Sequence, residues 1–576
     1  MGSWMKADEV VKTEVLVIGG GIAGAAAAIS ARNAGAEVTL VDKAVVARSG
    51  QSTFAAGIYA VCFPDRDNVD DWAEEMIDLG EYLNDQTWVD LLWERNNPAA
   101  MELDRWGAEY RRQILERDEK GNYIRRKSRG HIKTFHCIMN SIPMMDTLKQ
   151  KALDLGVRIV ERVMVTEFVR NEGRVVGALG LNPQTGKTTL FQANATIAAA
   201  SGAGFKSAFM GHKNLTGDVL AAACRIGVTV QNMENVCSNT CARGFDIHGL
   251  NLFVNVGGKL TSSHGEEFMW SYQPDLGNRG RMQDLTLSFC QEVEMGRGPI
   301  FMDLTSASKA DQALCRKILP ETFATFGAAG IDPFAQKIEW MPAFMGTLNS
   351  GGGIRIDLDG ATNVPGLFAA GDITPEPPHG TYSFGGVNIA FCHVSGIVAG
   401  EKAVAFAKKE GRAWDDQGTR KNIQEGWERT LSPLKRVSGA DSMEVIYHIQ
   451  SKIIPKEYGY LRTQTTLEEG LSAIRSIKKD EIPRLHARDP HELMRCLEAR
   501  NLAEIGELIL TAALHRKESR GWHFRKDFPY TDNKNWLRWI TLTRREEEIR
   551  INEIPVPTPR KAPPAEIMIP PGVRRR

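Results

Sequence analysis

Residues 14–42 read EVLVIGGGIAGAAAAISARNAGAEVTLVD. Glu14 to Ile18 is a short β-branched run, Gly19-Gly20-Gly21-Ile22-Ala23-Gly24 follows it, and an alanine-rich stretch then reaches Ala34. That order spells strand, glycine turn and helix. A second apolar strand, Glu37 to Val41, ends at Asp42, 18 positions past Gly24, where a carboxylate can accept hydrogen bonds from a ribose. Gly19 permits the tight turn, Gly21 lets backbone approach a pyrophosphate, and Gly24 lets helix and strand pack closely. The helix N-terminus adds partial positive charge for the phosphates. The stretch predicts a dinucleotide site in an α/β fold.

Working outward, the chain has 576 residues, 42% hydrophobic and 25% charged, the composition of a large soluble protein of several domains. Lys+Arg and Asp+Glu are both 71, so no global field recruits nucleic acid or an anionic membrane. The N-terminus lacks a secretory pattern and no stretch of about 18 uninterrupted apolar residues follows, which predicts a cytoplasmic chain that does not span a membrane. The first four residues read as an addition before a start at Met5. Nine cysteines are scattered without a CxxC pair, so neither a disulfide scaffold nor a metal site is expected. Electrons travelling beyond one cofactor would need a partner to carry them.

The glycine turn alone fits FAD or NAD. About 330 residues past Asp42, Val364-Pro365-Gly366-Leu367-Phe368-Ala369-Ala370-Gly371-Asp372 reads as a turn, a buried strand and a terminal acid. It resembles the second segment of FAD proteins that grip the cofactor at two distant points, which implies Asp372 near the ribityl and pyrophosphate region. Gly385-Gly386-Val387-Asn388 and the helical stretch from Ile389 follow, its N-terminus implied to face the flavin pyrimidine. Ala195 to Ala200 with Ser201-Gly202-Ala203-Gly204 resembles the strand and turn closing the same domain.

With these residues in view, the chain is similar to the flavoprotein subunits of the fumarate reductase, succinate dehydrogenase and L-aspartate oxidase superfamily, and most similar to the adenylylsulfate reductase alpha subunit. The resemblance covers roughly residues 12–560. Its motifs include Arg48-Ser49-Gly50, Thr216-Gly217-Asp218, Met233-Glu234-Asn235, Gly296-Arg297-Gly298, Arg488-Asp489-Pro490-His491-Glu492 and Arg516-Lys517-Glu518-Ser519-Arg520-Gly521. It implies FAD held by Gly19, Gly21, Gly24, Asp42, Lys43, Ser49, Gly50, Gly57, Gly202, Asp218, Gly371, Asp372, Asn388 and Ile389. Where relatives tie the flavin to a histidine after the Arg-Ser pair, this chain has Gly50 and Gln51, so the FAD is expected to be noncovalent. The substrate positions also depart: the dicarboxylate enzymes' histidines fall near Asn239-Thr240 and Leu348-Asn349-Ser350, and their arginines near Leu287 and Ser383. The adenylylsulfate reductase residues fall near Leu252, Leu285 and Leu348. A pocket without those groups would accept a less charged substrate, although Arg281, Asn349 or His248 could move into the roles after a small gap.

Candidate catalytic residues are His379 and Tyr382 for proton handling and orientation, Asn349 beside the triple glycine, and Arg243 and His248 in an inserted cap. His379 alternatively only caps the 375–378 turn. His131 and His136 read as structural, and Cys237 and Cys241 as buried apolar side chains. The expected fold class is α/β: a discontinuous FAD-binding Rossmann-like domain (10–240 and 350–412), an inserted α+β capping domain (241–349), a C-terminal helical bundle (413–546) and a Pro/Arg-rich tail (547–576) that buries no core. In the bundle, Thr466-Leu467-Glu468-Glu469 reads as a capping box, and Leu467, Leu471, Ile474 and Ile477 recur at helical spacing. The expected function is that of an FAD-dependent oxidoreductase, a catalytic subunit that turns over a small organic or sulfur-containing substrate with a ferredoxin-like iron–sulfur partner. The alternatives are a stand-alone oxidase of the L-aspartate oxidase type and an inert flavin-binding partner subunit.

Overall fold

The computed structural model describes residues 7–55, 57–209, 211–247, 249–546 and 548–564. The opening residues, His248 and the end of the tail, 565–576, lie outside them. The central sheet runs in the order Arg158–Val160, Val38–Val41, Glu9–Ile18, Thr188–Ala198, with each strand parallel to the next. The far edge of Thr188–Ala198 is shared. Its first half pairs antiparallel with Arg174–Leu181, which in turn pairs with Met164–Asn171, and its last three residues pair parallel with Leu367–Ala369. Val15, Leu16 and Val17 are fully buried, as a strand covered on both faces requires.

Helix Ile22–Asn33 lies against helix Val387–Glu410, and small residues decide how closely. A Cβ on Gly396 would stand 2.3 Å from the Ala23 carbonyl oxygen, and one on Gly400 would stand 2.5 Å from that of Ala27. Backbone therefore meets backbone, and two glycine-headed helices are brought together. Val387–Glu410 is the one described helix long and apolar enough to cross a membrane, and 67% of its apolar window is buried inside the protein.

An antiparallel sheet of Cys237–Ala242, Ile338–Gly346, Ile300–Asp303 and Lys259–Thr261 carries the inserted lobe. Helices Asp416–Leu431, Ser442–Gln450, Gln464–Ser476 and Pro490–His515 follow the nucleotide domain. Leu467, Leu471, Ile474 and Ile477 are buried, but the capping box is formed by Thr463 and Thr466, three residues earlier than the sequence suggested. The late chain departs from the expected pattern more strongly. Arg538–Arg545 and Glu548–Pro555 form an antiparallel hairpin whose first strand pairs with Thr229–Gln231, so strand structure continues into the segment expected to be a tail. Ile549, Ile551 and Ile554 are interspersed with polar residues there, a strand signal masked by the proline-rich composition around it. Beyond it, Arg560 and Lys561 bind back to Asp70, Asp90 and Asp78 on the early helices.

Candidate functional site

The glycine turn opens into a cavity. Gly20 N–H donates to Asp42 Oδ2 and Ala44 N–H to Asp42 Oδ1, both at 2.7 Å, so the acid ending the second strand fixes the turn while facing the cavity. Gly19 adopts φ +112°, and a Cβ there would stand 2.5 Å from the Ala199 carbonyl oxygen. Helix Ile22–Asn33 is headed by Gly21 and has no acid in its first turn; the Ser52 hydroxyl accepts from Ile22 N–H at 3.1 Å, and the N-terminus keeps partial positive charge toward the cavity. This cradle fits a pyrophosphate.

Gly21, Lys43, Ser49, Gly50 and Asp218 line this cavity with Asp42. The Lys43 ammonium is engaged by Asp218 at 2.8 Å, Glu498 at 2.5 Å and Thr216 at 3.0 Å. Burial alone would lower its pKa, but Asp218 and Glu498 outweigh burial and hold it above the ordinary lysine value. Gly24, Gly57, Gly202 and Gly371 do not line the cavity. Gly24 is where helix meets turn, since a Cβ would stand 1.8 Å from the Gly19 carbonyl oxygen. Gly371 packs on Ala23, Gly202 on Thr347, and Gly57 under Ile318 of the inserted lobe.

A second cavity continues from the first through Ile22, Gln51, Ser52, Asp372 and Cys392, which line both. Asn388 and Ile389 form its floor with the N-terminus of Val387–Glu410, again headed by a glycine. Asn349 and Tyr382 line it as well, Asn349 in the left-handed region at φ +51°. The neighbouring Ser350 N–H donates to Glu376 Oε2 at 2.9 Å, which secures that strained turn.

His379 lines neither cavity. It is fully buried behind the second, with Nδ1 against Glu376 Oε2 and 3.1 Å from the Ser350 hydroxyl. Burial pushes His379 down to about 3, Glu376 up to about 7, and Asp372, beside Glu376, well above the usual carboxylate range. The three groups form a chain of side chains held toward their neutral forms, leading inward from the cleft. Arg243 is brought nowhere near it; its guanidinium is surface-exposed and paired with Glu339 at 2.7 Å. His248 is outside the described residues. Arg281, a possible substitute from the sequence, is already neutralised by Glu81 and Asp284 at 2.8 Å each.

Sequence reasoning passed over Arg129 and Asn251, and named Asn239 and Ser383 only as places where the relatives' substrate groups are missing; all four line the second cavity. Arg129 is 3% exposed, donating from Nε to Asn251 at 2.6 Å and from Nη1 to the Tyr382 hydroxyl at 2.7 Å. It is held by a small sheet of Arg125–Arg126, His136–Ile138 and Ile58–Tyr59, and by Gly385 N–H donating to its carbonyl. His131, which shares a hydrogen bond with Thr134 and contacts the Gly385 carbonyl, packs this loop in place.

A single elongated cleft, joining two glycine-headed helices at Asp372, defines a two-segment dinucleotide-binding flavoprotein. Residues 14–389 match the family described as FAD binding domain, and residues 450–575 match fumarate reductase flavoprotein C-term. The chain belongs to this family of fumarate reductase and succinate dehydrogenase flavoproteins and is an FAD-dependent oxidoreductase. It is 27% identical over 562 residues to a subunit of the fumarate reductase (CoM/CoB) of Methanothermobacter marburgensis, covering 94% of this chain and 98% of that one. It is also 27% identical over 606 aligned positions to the fumarate reductase flavoprotein subunit of Mycobacterium tuberculosis, covering 96% and 98%. Among solved structures, a quinol-fumarate reductase with menaquinol molecules superposes with a TM-score of 0.87 at 22% identity, covering 96% of this chain and 100% of that one. Adenylylsulfate reductase from Archaeoglobus fulgidus superposes with a TM-score of 0.79 at 19% identity, with 96% of each covered. These two likenesses concern the fold.

Proposed function

We propose that this chain is the flavin-bearing catalytic subunit of a cytoplasmic complex, oxidising or reducing a small organic or sulfur-containing substrate in the second cavity and exchanging the electrons with a ferredoxin-like iron–sulfur protein. The observation carrying the reading is the continuous cleft in which Asp372 links the Gly21-headed and Gly386-headed helix N-termini. FAD, when bound, supplies reversible two-electron chemistry. The protein's own contribution is positional. Gly20, Gly21 and the first helix take the pyrophosphate, and Asp42 and Asp372 offer oxygens to hydroxyl groups. Asn388, Ile389 and the second helix stabilise negative charge at the far end. Tyr382, oriented by Arg129, and Asn349, oriented by the turn that Glu376 secures, face the substrate space, while Phe384 and Met345 line it and help exclude water. His379 serves in this reading as a buried support for Glu376.

Noncovalent binding is supported by Gly50 and Gln51, neither of which offers an imidazole to the flavin. A partner protein is supported by the relatives' own names, each of which designates one subunit of a larger enzyme. Purification from the native host tests the reading: it predicts a co-purifying small protein with brown iron–sulfur absorbance, and flavin released into the supernatant on acid precipitation. A yellow homo-oligomer that generates hydrogen peroxide with substrate overturns the partner in favour of a stand-alone oxidase. Flavin left in the acid pellet overturns the noncovalent assignment. A folded protein that stays colourless with added FAD overturns the whole reading.

A further inference from the structure

Arg129 is a buried cation whose side chain touches only neutral partners. Its two side-chain hydrogen bonds go to the amide oxygen of Asn251 and the hydroxyl of Tyr382, and no described carboxylate lies within ion-pair distance. Other buried arginines are arranged differently. Arg281 is shared by Glu81 and Asp284, and Arg516 by Glu234 and Glu518. Arg520 is paired with Glu518. Arg462, which also lacks a carboxylate, spends its protons on the carbonyl oxygens of Tyr458 and Glu234 and lines neither cavity. Arg129 opens on the second cavity, where it is the single cation among the described lining residues. The single lining carboxyl, Asp372, is held toward its neutral form by burial and by Glu376. A guanidinium does not lose its proton at accessible pH, and withdrawing one from water without a counter-charge is strongly unfavourable. The missing counter-charge must therefore arrive with a ligand. The planar fork of Arg129 matches the two oxygens of a carboxylate, and the rest of the wall, Asn239, Asn349 and Ser383, offers only uncharged hydrogen-bonding groups.

Building on the reading of this cavity as the substrate end of an FAD oxidoreductase, we propose that Arg129 is the anion-binding residue and that the substrate is a small organic monocarboxylate, with its carboxylate on Arg129 and its uncharged remainder among the asparagines. One cation accommodates one negative charge, so a dicarboxylate would place its second charge against neutral amides and lose affinity.

The test compares three probes of nearly one size: crotonate, its neutral isostere crotonamide, and fumarate, which carries a second carboxylate. Each is titrated into the full-length, FAD-loaded protein, with binding read from the perturbed flavin absorption and independently from thermal shift. Flavin content is measured in every sample. The expected result is crotonate binding at least tenfold tighter than either other probe. That preference should vanish in Arg129→Met and survive in part in Arg129→Lys, with flavin content unchanged in both. Equal affinity for crotonate and crotonamide, tighter binding of fumarate, or no binding of any probe into the tens of millimolar would overturn the proposal. So would loss of flavin from folded Arg129→Met protein, which would assign the arginine to the cofactor. If the native protein itself never holds flavin, the functional reading fails, and thermal-shift titration of that flavin-free protein still decides whether Arg129 prefers the monoanion.

Discussion

Lys43 Nζ lies 2.5 Å from Glu498 Oε1, joining the end of the early nucleotide-binding strand to helix Pro490–His515 across 455 residues of sequence. Glu498 is almost wholly buried, and its other oxygen stands 2.8 Å from Lys206. The carboxylate therefore ties two lysines of the nucleotide domain to the C-terminal helices, at the rim of the first cavity. Glu498→Ala leaves both lysines without that partner. Removing one member of a buried pair costs on the order of 3 kcal/mol, so the variant should melt at a clearly lower temperature and release FAD more readily than the native protein. Calorimetry and equilibrium dialysis of the flavin check this, and an unchanged melting temperature with unchanged affinity would refute it.

Gly21 and Gly24 separate binding from folding. A Cβ on Gly24 would overlap the Gly19 carbonyl oxygen, a backbone atom that cannot swing aside, whereas a Cβ on Gly21 would meet only the Ser52 side chain, its hydroxyl at 3.0 Å. Gly21 also has φ −74°, a value any residue adopts. Gly21→Ala should keep the fold, with a circular dichroism spectrum and melting temperature near native, and lose FAD affinity by at least tenfold because the methyl group occupies space at the cradle. Gly24→Ala should be destabilised severely, giving little soluble protein. Equal behaviour of the two variants would show that the glycines do not divide the labour in this way.

How much of this site could be read in the sequence depended on how local each signal is. The turn at Gly19 to Gly24, its acid Asp42 and the strand ending at Asp372 are short-range patterns whose backbone demands are written in consecutive residues. Arg129 is not of that kind. It follows the two-residue strand Arg125–Arg126, too short to show periodicity, and those two turn to Asp67 and Asp311, so nothing local distinguishes the one arginine that faces the cavity. Arg243 failed for the converse reason: its place in the inserted lobe is readable, but the pairing of Cys237–Ala242 with Ile338–Gly346 carries it to the surface beside Glu339. The hairpin Arg538–Pro555 needed a partner strand at Thr229–Gln231, far back in the chain, before its alternation had a face to bury.

Glu376 gives the cleft a pH signature. Burial raises its carboxyl from 4.5 to about 7. Between those values the folded protein holds a proton that the unfolded chain has released, so stability falls as pH rises through this window and the loss is complete above the folded value. The shift corresponds to on the order of 3 kcal/mol. Buried histidines act in the opposite sense: His131, His379 and His393 are pushed down by burial, so the folded state loses stability as pH falls below the ordinary histidine value. The native pH profile is the sum of the two, and the carboxyl is isolated by difference. Glu376→Gln keeps an oxygen for the Ser350 N–H and carries no ionisable proton. Relative to the native protein it should therefore gain stability from about pH 5 to about pH 7 and level off above that, read as the difference in melting temperature or in denaturant midpoint across that range. A difference that stays flat with pH would mean that Glu376 titrates as an ordinary surface carboxyl, and that the buried chain from Asp372 to His379 does not store a proton.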